Sequence, residues 1–347
     1  MADLLQRLWT AALALGVALI IVAALRVPWR RWFGVEHACR LWWLPPLALL
    51  ASQLPHAATQ AVIVRVPVMF SAIAPTASAP ATATNVGWHT LLVILWLTGA
   101  CAFLLLAVVR QWRFLCALRD AEPESSTSPG GFIGILRARD AASGPALVGA
   151  WRPRLVLPHD FETRYDERER ALILAHEAMH ARRRDGLIGA CATTLHAAFW
   201  FHPLAWWALP RLRRDQELAC DAAVLRERPR ARRCYANAML KAQFAGTVLP
   251  AGSFWPSHPI RERILMLKLP VPDGTRRIVG RVALSSLAVA ISATAYAASQ
   301  APAAAAATPL SHAREYQIAM RIMRGGETLA APIVCMKAGG SASIVQE

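Results

Sequence analysis

Two histidines and a glutamate in this sequence have the spacing of a catalytic metal site. They form the segment His176-Glu177-Ala178-Met179-His180, an H-E-x-x-H pattern. Residues four apart lie on one face of a helix, so both imidazoles can bind one zinc ion. Glu177 lies beside the first histidine, where its carboxylate can take the proton of a water that the metal acidifies. A chance match on an amphipathic helix is the alternative, but the helix-favouring, apolar residues before the motif favour a zinc site.

A zinc protease also needs a third protein ligand and keeps its fourth position open. We predict that this ligand is Glu217, in a second stretch of helical character. Asp221 lies four residues later on the same helix face. It can accept a hydrogen bond from the ring nitrogen of a ligand histidine that does not bind the metal, and so fix the orientation of that ring. The alternatives are His196, His202 and Cys220. Histidines in an apolar segment are more often satisfied core residues, and cysteine is commonly a small buried residue.

The composition indicates a membrane protein. Hydrophobic residues make up 55% of the 347 residues, and the mean hydropathy is +0.33, which is too apolar for an ordinary soluble domain. The formal net charge of +16 could mark a nucleic-acid surface. The arginines, however, cluster at the ends of apolar stretches, as they do on the cytoplasmic side of membrane spans. We therefore expect a lipid bilayer as a partner and no direct nucleic-acid partner.

No two cysteines form a C-x-x-C pair, so we expect no disulfide framework.

Apolar stretches and their arginine flanks predict the topology. We predict four membrane spans, at about residues 9–25, 41–54, 88–109 and 278–298. The chain then divides into a three-span membrane region, a cytoplasmic zinc protease domain, the fourth span and a periplasmic tail: 1–109, 110–277, 278–298 and 299–347. This places the active site on the cytoplasmic side of a bacterial inner membrane.

One further apolar stretch, about residues 187–210, is predicted not to cross the membrane. Basic residues flank both of its ends. As one crossing helix it would separate its ends by about 34 Å at 1.5 Å per residue. His180 and Glu217 could not then bind the same metal ion. We therefore predict a re-entrant or membrane-surface hairpin that breaks near His202-Pro203.

Four ordered motifs resemble the membrane antirepressor metallopeptidases of the BlaR/MecR beta-lactam-sensor type. They are Pro145-x-x-x-Gly149-x-x-x-Pro153-x-x-Val156-x-Pro158, Leu174-Ala175-His176-Glu177-x-x-His180-x-x-Arg183-x-Asp185, Phe199-Trp200-Phe201-His202-Pro203 and Asp215-x-Glu217-x-x-Cys220-Asp221. The resemblance covers residues 8–297. It implies the same three zinc ligands and catalytic base, the same four spans, and a role in signal transduction. The implied substrate is a cytoplasmic repressor or the protein itself.

The chain departs from that family after the last span. Residues 300–347 contain no S-x-x-K motif, so we expect no penicillin-binding sensor domain. Two strand-like runs, 316–323 and 332–337, predict a small β-hairpin in the tail. A hairpin of this size needs a partner to be stable.

Two other segments each have two interpretations. Arg152 to Leu157 alternates in polarity, and this pattern predicts a strand. The strand either pairs with a substrate backbone, as the edge strand of similar proteases does, or is only structural.

His258-Pro259 resembles a segment of related membrane zinc proteases. His258 therefore either assists the transition-state oxyanion or lies at the surface before a helix.

Together these features predict a mainly α, polytopic membrane protein. Its cytoplasmic domain would be a gluzincin-like zinc metalloendopeptidase with a small edge sheet, cleaving a protein substrate, and a homodimer is one assembly we consider. The alternatives are a constitutive membrane quality-control protease and a non-catalytic signal transducer. The presence of Glu177 argues against the transducer, because a scaffold needs no catalytic base.

Overall fold

The structure is a computed structural model, and it falls into two units, residues 1–299 and 300–347. In the first unit it describes residues 2–55, 87–119, 121–124, 134–138, 145–245, 260–267 and 272–299, and in the second it describes five strands.

Helices form most of the first unit, which confirms the predicted mainly α class. In chain order they are α1 (Ala2–Phe33), α2 (Val35–Arg40), α3 (Leu44–Gln53), α4 (Trp88–Ala117), α5 (Phe161–Arg164), α6 (Glu167–Arg183), α7 (Asp185–Ala198), α8 (Pro203–Glu227), α9 (Arg232–Ala245), α10 (Ile260–Leu267) and α11 (Gly274–Ser299), with short 3₁₀ turns at Leu41–Trp43 and Pro229–Ala231.

Three of the described helices, α1, α4 and α11, are long and apolar enough to cross a bilayer. They coincide with the first, third and fourth predicted spans. The second predicted span contains the 10-residue helix α3, which is about 15 Å long and too short to cross alone. Its prolines, Pro45 and Pro46, lie in the first turn, where a missing N–H costs little. The count of four spans is therefore not confirmed.

The short helix α3 packs between two of the long ones. Its Leu44 and Ala48 share one buried cluster with Val22 of α1 and with Ile291 and Ala295 of α11. Small side chains on α3 and α11 let the helix backbones approach closely, which favours packing in an apolar environment.

A four-stranded sheet precedes the helix that carries the H-E-x-x-H motif. Its strands are β1 (Glu122–Glu124), β2 (Ile135–Ala138), β3 (Ala146–Val148) and β4 (Arg154–Pro158), in the order β1-β2-β4-β3. The strand predicted at Arg152 to Leu157 is present as β4, but it is a central strand. It pairs in parallel with β2 and antiparallel with β3, so both sides of its backbone are occupied. The interpretation of this segment as a substrate-binding edge is therefore corrected.

Helix α6 begins at a capping box. The Asp166 side chain accepts a hydrogen bond from the Glu169 N–H at 2.8 Å, and the Glu169 side chain accepts one from the Asp166 N–H at 3.1 Å. The backbone N–H groups of Asp166 and Glu169, which have no partner within the helix, are thereby hydrogen-bonded. The helix ends at Arg184, whose backbone is left-handed at φ 55° and ψ 39°. This turn lets α7 begin at the next residue in a new direction.

Helices α7 and α8 form the hairpin predicted from residues 187–210. The helical backbone stops after Ala198 and resumes at Pro203, so the predicted break near His202-Pro203 is confirmed. Proline is favoured at the first position of a helix because its fixed φ suits the turn and its absent N–H is not needed. The return path brings the second half of α8 back to α6.

The tip of this hairpin is attached to the membrane helix α4. The Trp96 indole donates to the carbonyl of Ala198 at 2.7 Å, and the Trp200 indole donates to the carbonyl of Trp96 at 3.3 Å. A Cβ atom at Gly99 would lie 2.3 Å from the Trp200 ring. Glycine at that position therefore allows the close approach of α4 and the hairpin.

A buried apolar cluster fixes α8 against α6. It contains Leu172 and Met179 of α6, Val224 of α8 and Tyr235 and Met239 of α9. Close packing of this kind holds side chains in single rotamers, so it can set the positions of polar groups at its border.

The second unit is a β structure. Its strands are β5 (Glu315–Ala319), β6 (Ile322–Arg324), β7 (Glu327–Ala330), β8 (Ile333–Lys337) and β9 (Ser343–Val345). β8 pairs antiparallel with β5 and β9, and β6 pairs with β7. The predicted single hairpin is thus replaced by a three-stranded sheet and a two-stranded hairpin.

Candidate metal centre

The three predicted metal ligands converge between α6 and α8. The Nε2 atoms of His176 and His180 are 3.2 Å apart. The Glu217 carboxylate lies 3.5 Å from the first of these nitrogens and 3.4 Å from the second. All three side chains are largely buried. Two imidazole nitrogens and one carboxylate form a donor set that suits zinc, so these residues fit the predicted ion.

Hydrogen bonds on the far side of its ring orient His176. Its Nδ1 lies 2.8 Å from the Tyr235 hydroxyl and 3.2 Å from the Asp221 carboxylate. The Tyr235 hydroxyl donates to Asp221 at 2.6 Å, so it accepts from the imidazole. This network leaves Nε2 facing Glu217. The position of Asp221 agrees with the orienting role predicted for it.

A different carboxylate orients His180. Asp185 is fully buried, and its carboxylate lies 2.8 Å from His180 Nδ1. It also accepts from Gln216 at 3.2 Å and pairs with Arg183 at 3.3 Å. Burial alone would raise the pKa of Asp185, but the hydrogen bond to His180 and the charge of Arg183 lower it. Asp185 is therefore an ionised partner for the second histidine.

Sequence reasoning gave Asp185 no role at the site, because it lies five residues after His180. That spacing does not return to the same helix face. The left-handed turn at Arg184 ends α6 and brings Asp185 back towards the histidine ring.

One arginine bridges two acidic residues of α8. Arg263, from α10, donates to both oxygens of Asp221 at 2.6 and 2.8 Å and lies 3.3 Å from Glu217. Burial alone would raise the pKa of Glu217, but Arg263 and the two histidines hold it well below its usual range. The predicted third ligand is thus a carboxylate without a proton. Neither Arg263 nor Tyr235 was identified as a site residue from the sequence.

The predicted base, Glu177, is also buried, next to His176 on α6. Burial raises the pKa of Glu177, and the nearby histidines offset part of that rise. A carboxyl group with a raised pKa is suited to accept and return a proton near neutral pH. His258 lies outside the described residues, so its assignment stays a prediction.

Of the alternative ligands, His196 and His202 lie elsewhere, whereas Cys220 lies beside His180 and Asp185, with which it forms a second group that could hold a metal ion. His196 packs edge-on against Trp206 at 4.6 Å between ring centroids, and His202 lies against Gly16 of α1. Both therefore belong to the packing of the hairpin. Cys220 lies 3.5 Å from Nδ1 of His180, the nitrogen that faces Asp185. Burial raises the pKa of the Cys220 thiol well above its usual value, so it stays protonated.

Comparison with known proteins identifies one family. A family model described as BlaR1 peptidase M56 matches residues 6–267, which include every residue of the centre described above. The chain is also similar to the regulatory protein BlaR1 of Bacillus licheniformis, with 33% identity over 92 residues. That match covers 26% of this chain and 15% of the relative, so it spans only a small part of the relative's length.

Proposed function

Because this chain belongs to the BlaR1 peptidase M56 family, we propose that it is a membrane-embedded zinc metalloendopeptidase acting in signal transduction. The family makes it a metallopeptidase, and three apolar helices associate it with a membrane. The observation that carries the zinc assignment is the convergence of His176, His180 and Glu217 in one buried cluster.

The chain's own residues divide the work of hydrolysis. His176 and His180 would hold zinc through Nε2, and Glu217 would hold it through its carboxylate. When bound, zinc supplies a Lewis acid that polarises the scissile carbonyl and acidifies water. Glu177 takes the proton of the attacking water and returns it to the leaving amine. Asp185 keeps the second histidine ring in its metal-binding orientation.

The substrate we propose is a protein, either a cytoplasmic repressor or the chain itself. An extended peptide can add to the described sheet at β3, because β4 is already paired on both sides. β3 is next to the site: the Gly149 carbonyl that follows it lies 2.8 Å from where a Cβ atom would stand at Gly186 of α7.

The arginine distribution supports a cytoplasmic active site at a bacterial inner membrane. Basic residues end α1 and begin α11, and α11 follows the metal-binding domain directly in the chain. The tail after α11 is then periplasmic. In this arrangement α7 and α8 form a re-entrant hairpin, and α3 with its preceding turn supplies the second predicted span.

Zinc content and proteolysis, measured on the detergent-purified full chain, test the proposal. We expect about one zinc per chain in the wild type, held by His176, His180 and Glu217. Glu217→Ala should lose the metal, and Glu177→Gln should keep it without cleaving casein or itself. Glu227→Ala, an exposed acid on the same helix, is the matched control and should behave as wild type. A wild type without zinc, or a Glu177→Gln variant that cleaves normally, would exclude this function.

A further inference from the structure

A basic cavity of about 310 Å³ lies where the start of α11 meets α2 and the end of α8. It is separate from the metal ligands. Its lining is almost entirely ionisable: Glu36, His37, Arg40, Arg226, Arg277 and Arg281.

The positive charges around this cavity exceed the negative charge. Glu36 is occupied by an ion pair with Arg226. Arg40, Arg277 and Arg281 have no ion pair with any residue in the described part of the chain. Cations that face one cavity repel each other, so an anion inside it would be bound favourably.

A buried histidine is part of the same wall. His37 is 5% exposed, and its Nε2 finds no hydrogen-bond partner among the described residues; the same is true of Nε of Arg277. Burial lowers the pKa of His37, and Arg40 lowers it further, against the opposing effect of Glu36. Unsatisfied buried polar atoms are uncommon in folded proteins. A ligand oxygen would accept from Nε of Arg277 and, in the tautomer that carries the proton on Nε2, from His37.

Close backbone contacts fix the walls of the cavity. Gly34 has a φ of 91°, and a Cβ atom there would lie 2.6 Å from the Pro272 ring. A Cβ atom at Gly280 would lie 2.9 Å from Phe33. These glycines let the start of α11 pack against the end of α1, so the cavity is formed before any ligand enters.

Apolar surface lies directly beyond the arginines. Ile278 lines the cavity, and Val279 and Val282 on the same helix are exposed. Guanidinium groups suit phosphate oxygens through paired hydrogen bonds, and basic pockets between membrane helices suit lipid head groups. We propose that this cavity binds the phosphate of an anionic phospholipid, held by Arg277 and Arg281. The lipid's acyl chains would lie along α11. This proposal does not depend on the peptidase activity.

Native mass spectrometry of the full chain in detergent tests the site. Phosphatidylglycerol and phosphatidylcholine are added separately to wild type and to Arg277→Ala/Arg281→Ala. We expect wild type to retain phosphatidylglycerol. The cavity variant, Arg277→Ala/Arg281→Ala, should bind this lipid at least about tenfold more weakly, because it has lost charge-assisted hydrogen bonds to the phosphate. Arg110→Ala/Arg113→Ala is the matched control, because these arginines are exposed at the end of α4 and do not line the cavity.

Three results would overturn the proposal. Equal losses in the cavity and control variants would indicate general attraction of basic helix ends to lipid. Equal retention of phosphatidylcholine would indicate an apolar groove. Displacement of phosphatidylglycerol by millimolar inorganic phosphate would indicate a site for free phosphate. If the alanine variant does not fold, Arg277→Lys/Arg281→Lys replaces it and should bind with intermediate affinity, because lysine keeps the charge without the paired hydrogen bonds.

Discussion

Arg26 of the membrane helix α1 and Asp215 of α8 form a buried, two-bonded ion pair. The guanidinium donates to the two carboxylate oxygens at 2.9 and 3.1 Å, and the Trp42 indole donates to the same carboxylate at 2.8 Å. The Asp215 side chain is 0% exposed. Asp215 lies two residues before Glu217, so the pair connects a membrane helix to the segment that carries a metal ligand.

Breaking this pair from one side should destabilise the protein. Arg26→Leu would remove both guanidinium hydrogen bonds to the buried Asp215 and leave it only the more distant Arg30, at 3.8 Å. Breaking a buried pair costs about 3–5 kcal/mol. We expect a large fall in the thermal unfolding temperature of the detergent-purified chain. Arg31→Leu, an exposed arginine on the same helix, should change it little. The double variant Arg26→Leu/Asp215→Leu should recover stability, and equal effects of the two single arginine variants would contradict the argument.

Loss of the second histidine's partner should weaken zinc binding without removing a ligand. Asp185→Asn keeps the shape of the side chain but loses the charge that holds His180 Nδ1. Changes of this kind typically cost about 10–100-fold in metal affinity. Competition with a zinc chelator measures the effect, and Asp273→Asn, at an exposed position, serves as the control. An unchanged affinity in Asp185→Asn would mean that Asp185 does not orient the ring.

The first histidine has two partners, so its variants should follow an order. Tyr235→Phe removes the hydroxyl but leaves the Asp221 carboxylate 3.2 Å from His176 Nδ1. Asp221→Ala removes the carboxylate, and with it the acceptor of the Tyr235 hydroxyl and of two Arg263 hydrogen bonds, so that Arg263 keeps only Glu217. Zinc affinity should therefore fall more in Asp221→Ala than in Tyr235→Phe. The reverse order in the chelator assay would contradict this account.

Zinc binding should release a proton from His176. Burial alone would lower the pKa of this imidazole, but its hydrogen bonds to Asp221 and Glu217 raise it to about 10 in the metal-free protein. The ring is therefore protonated at neutral pH, and zinc must displace that proton. Fewer protons compete with zinc as the pH rises. Deprotonation of His176 should therefore increase the zinc affinity by about tenfold for each pH unit, up to pH 10.

Calorimetry in buffers of different ionisation enthalpy counts the protons released by zinc. At least one per zinc is expected at pH 7.5, since ligand imidazoles must lose their proton on binding. Glu217 should add none, because its pKa is well below the usual value. Binding without proton release would show that His176 is neutral before the metal enters.

Local periodicity explains which parts of the site could be predicted from the sequence. His176 and His180 are one helical turn apart, and Asp221 is one turn after Glu217, so each pair follows from helix geometry alone. The break at Pro203 follows from the chemistry of proline, and it brings the two helices together. These features depend on neighbours in sequence.

Other parts of the site depend on tertiary packing, which no spacing encodes. Tyr235 and Arg263 reach the centre from α9 and α10, which pack against α8 only in the folded protein. Arg184 adopts a left-handed backbone that usually favours glycine, so the turn that positions Asp185 gave no signal. Alternating polarity predicted the strand β4, but not that strands lie on both sides of it. Likewise, apolar composition could not distinguish a complete span from the short helix α3.

The α7–α8 hairpin is attached at two points to two different membrane helices. Its tip is bonded to α4 through Trp96 and Trp200, and its return helix is bonded to α1 through Asp215. A change in the separation of α1 and α4 must therefore stretch, bend or rotate the hairpin, and Glu217 lies just beyond the second attachment. The separation of α1 and α4 and the position of Glu217 relative to His176 and His180 are in this way geometrically linked.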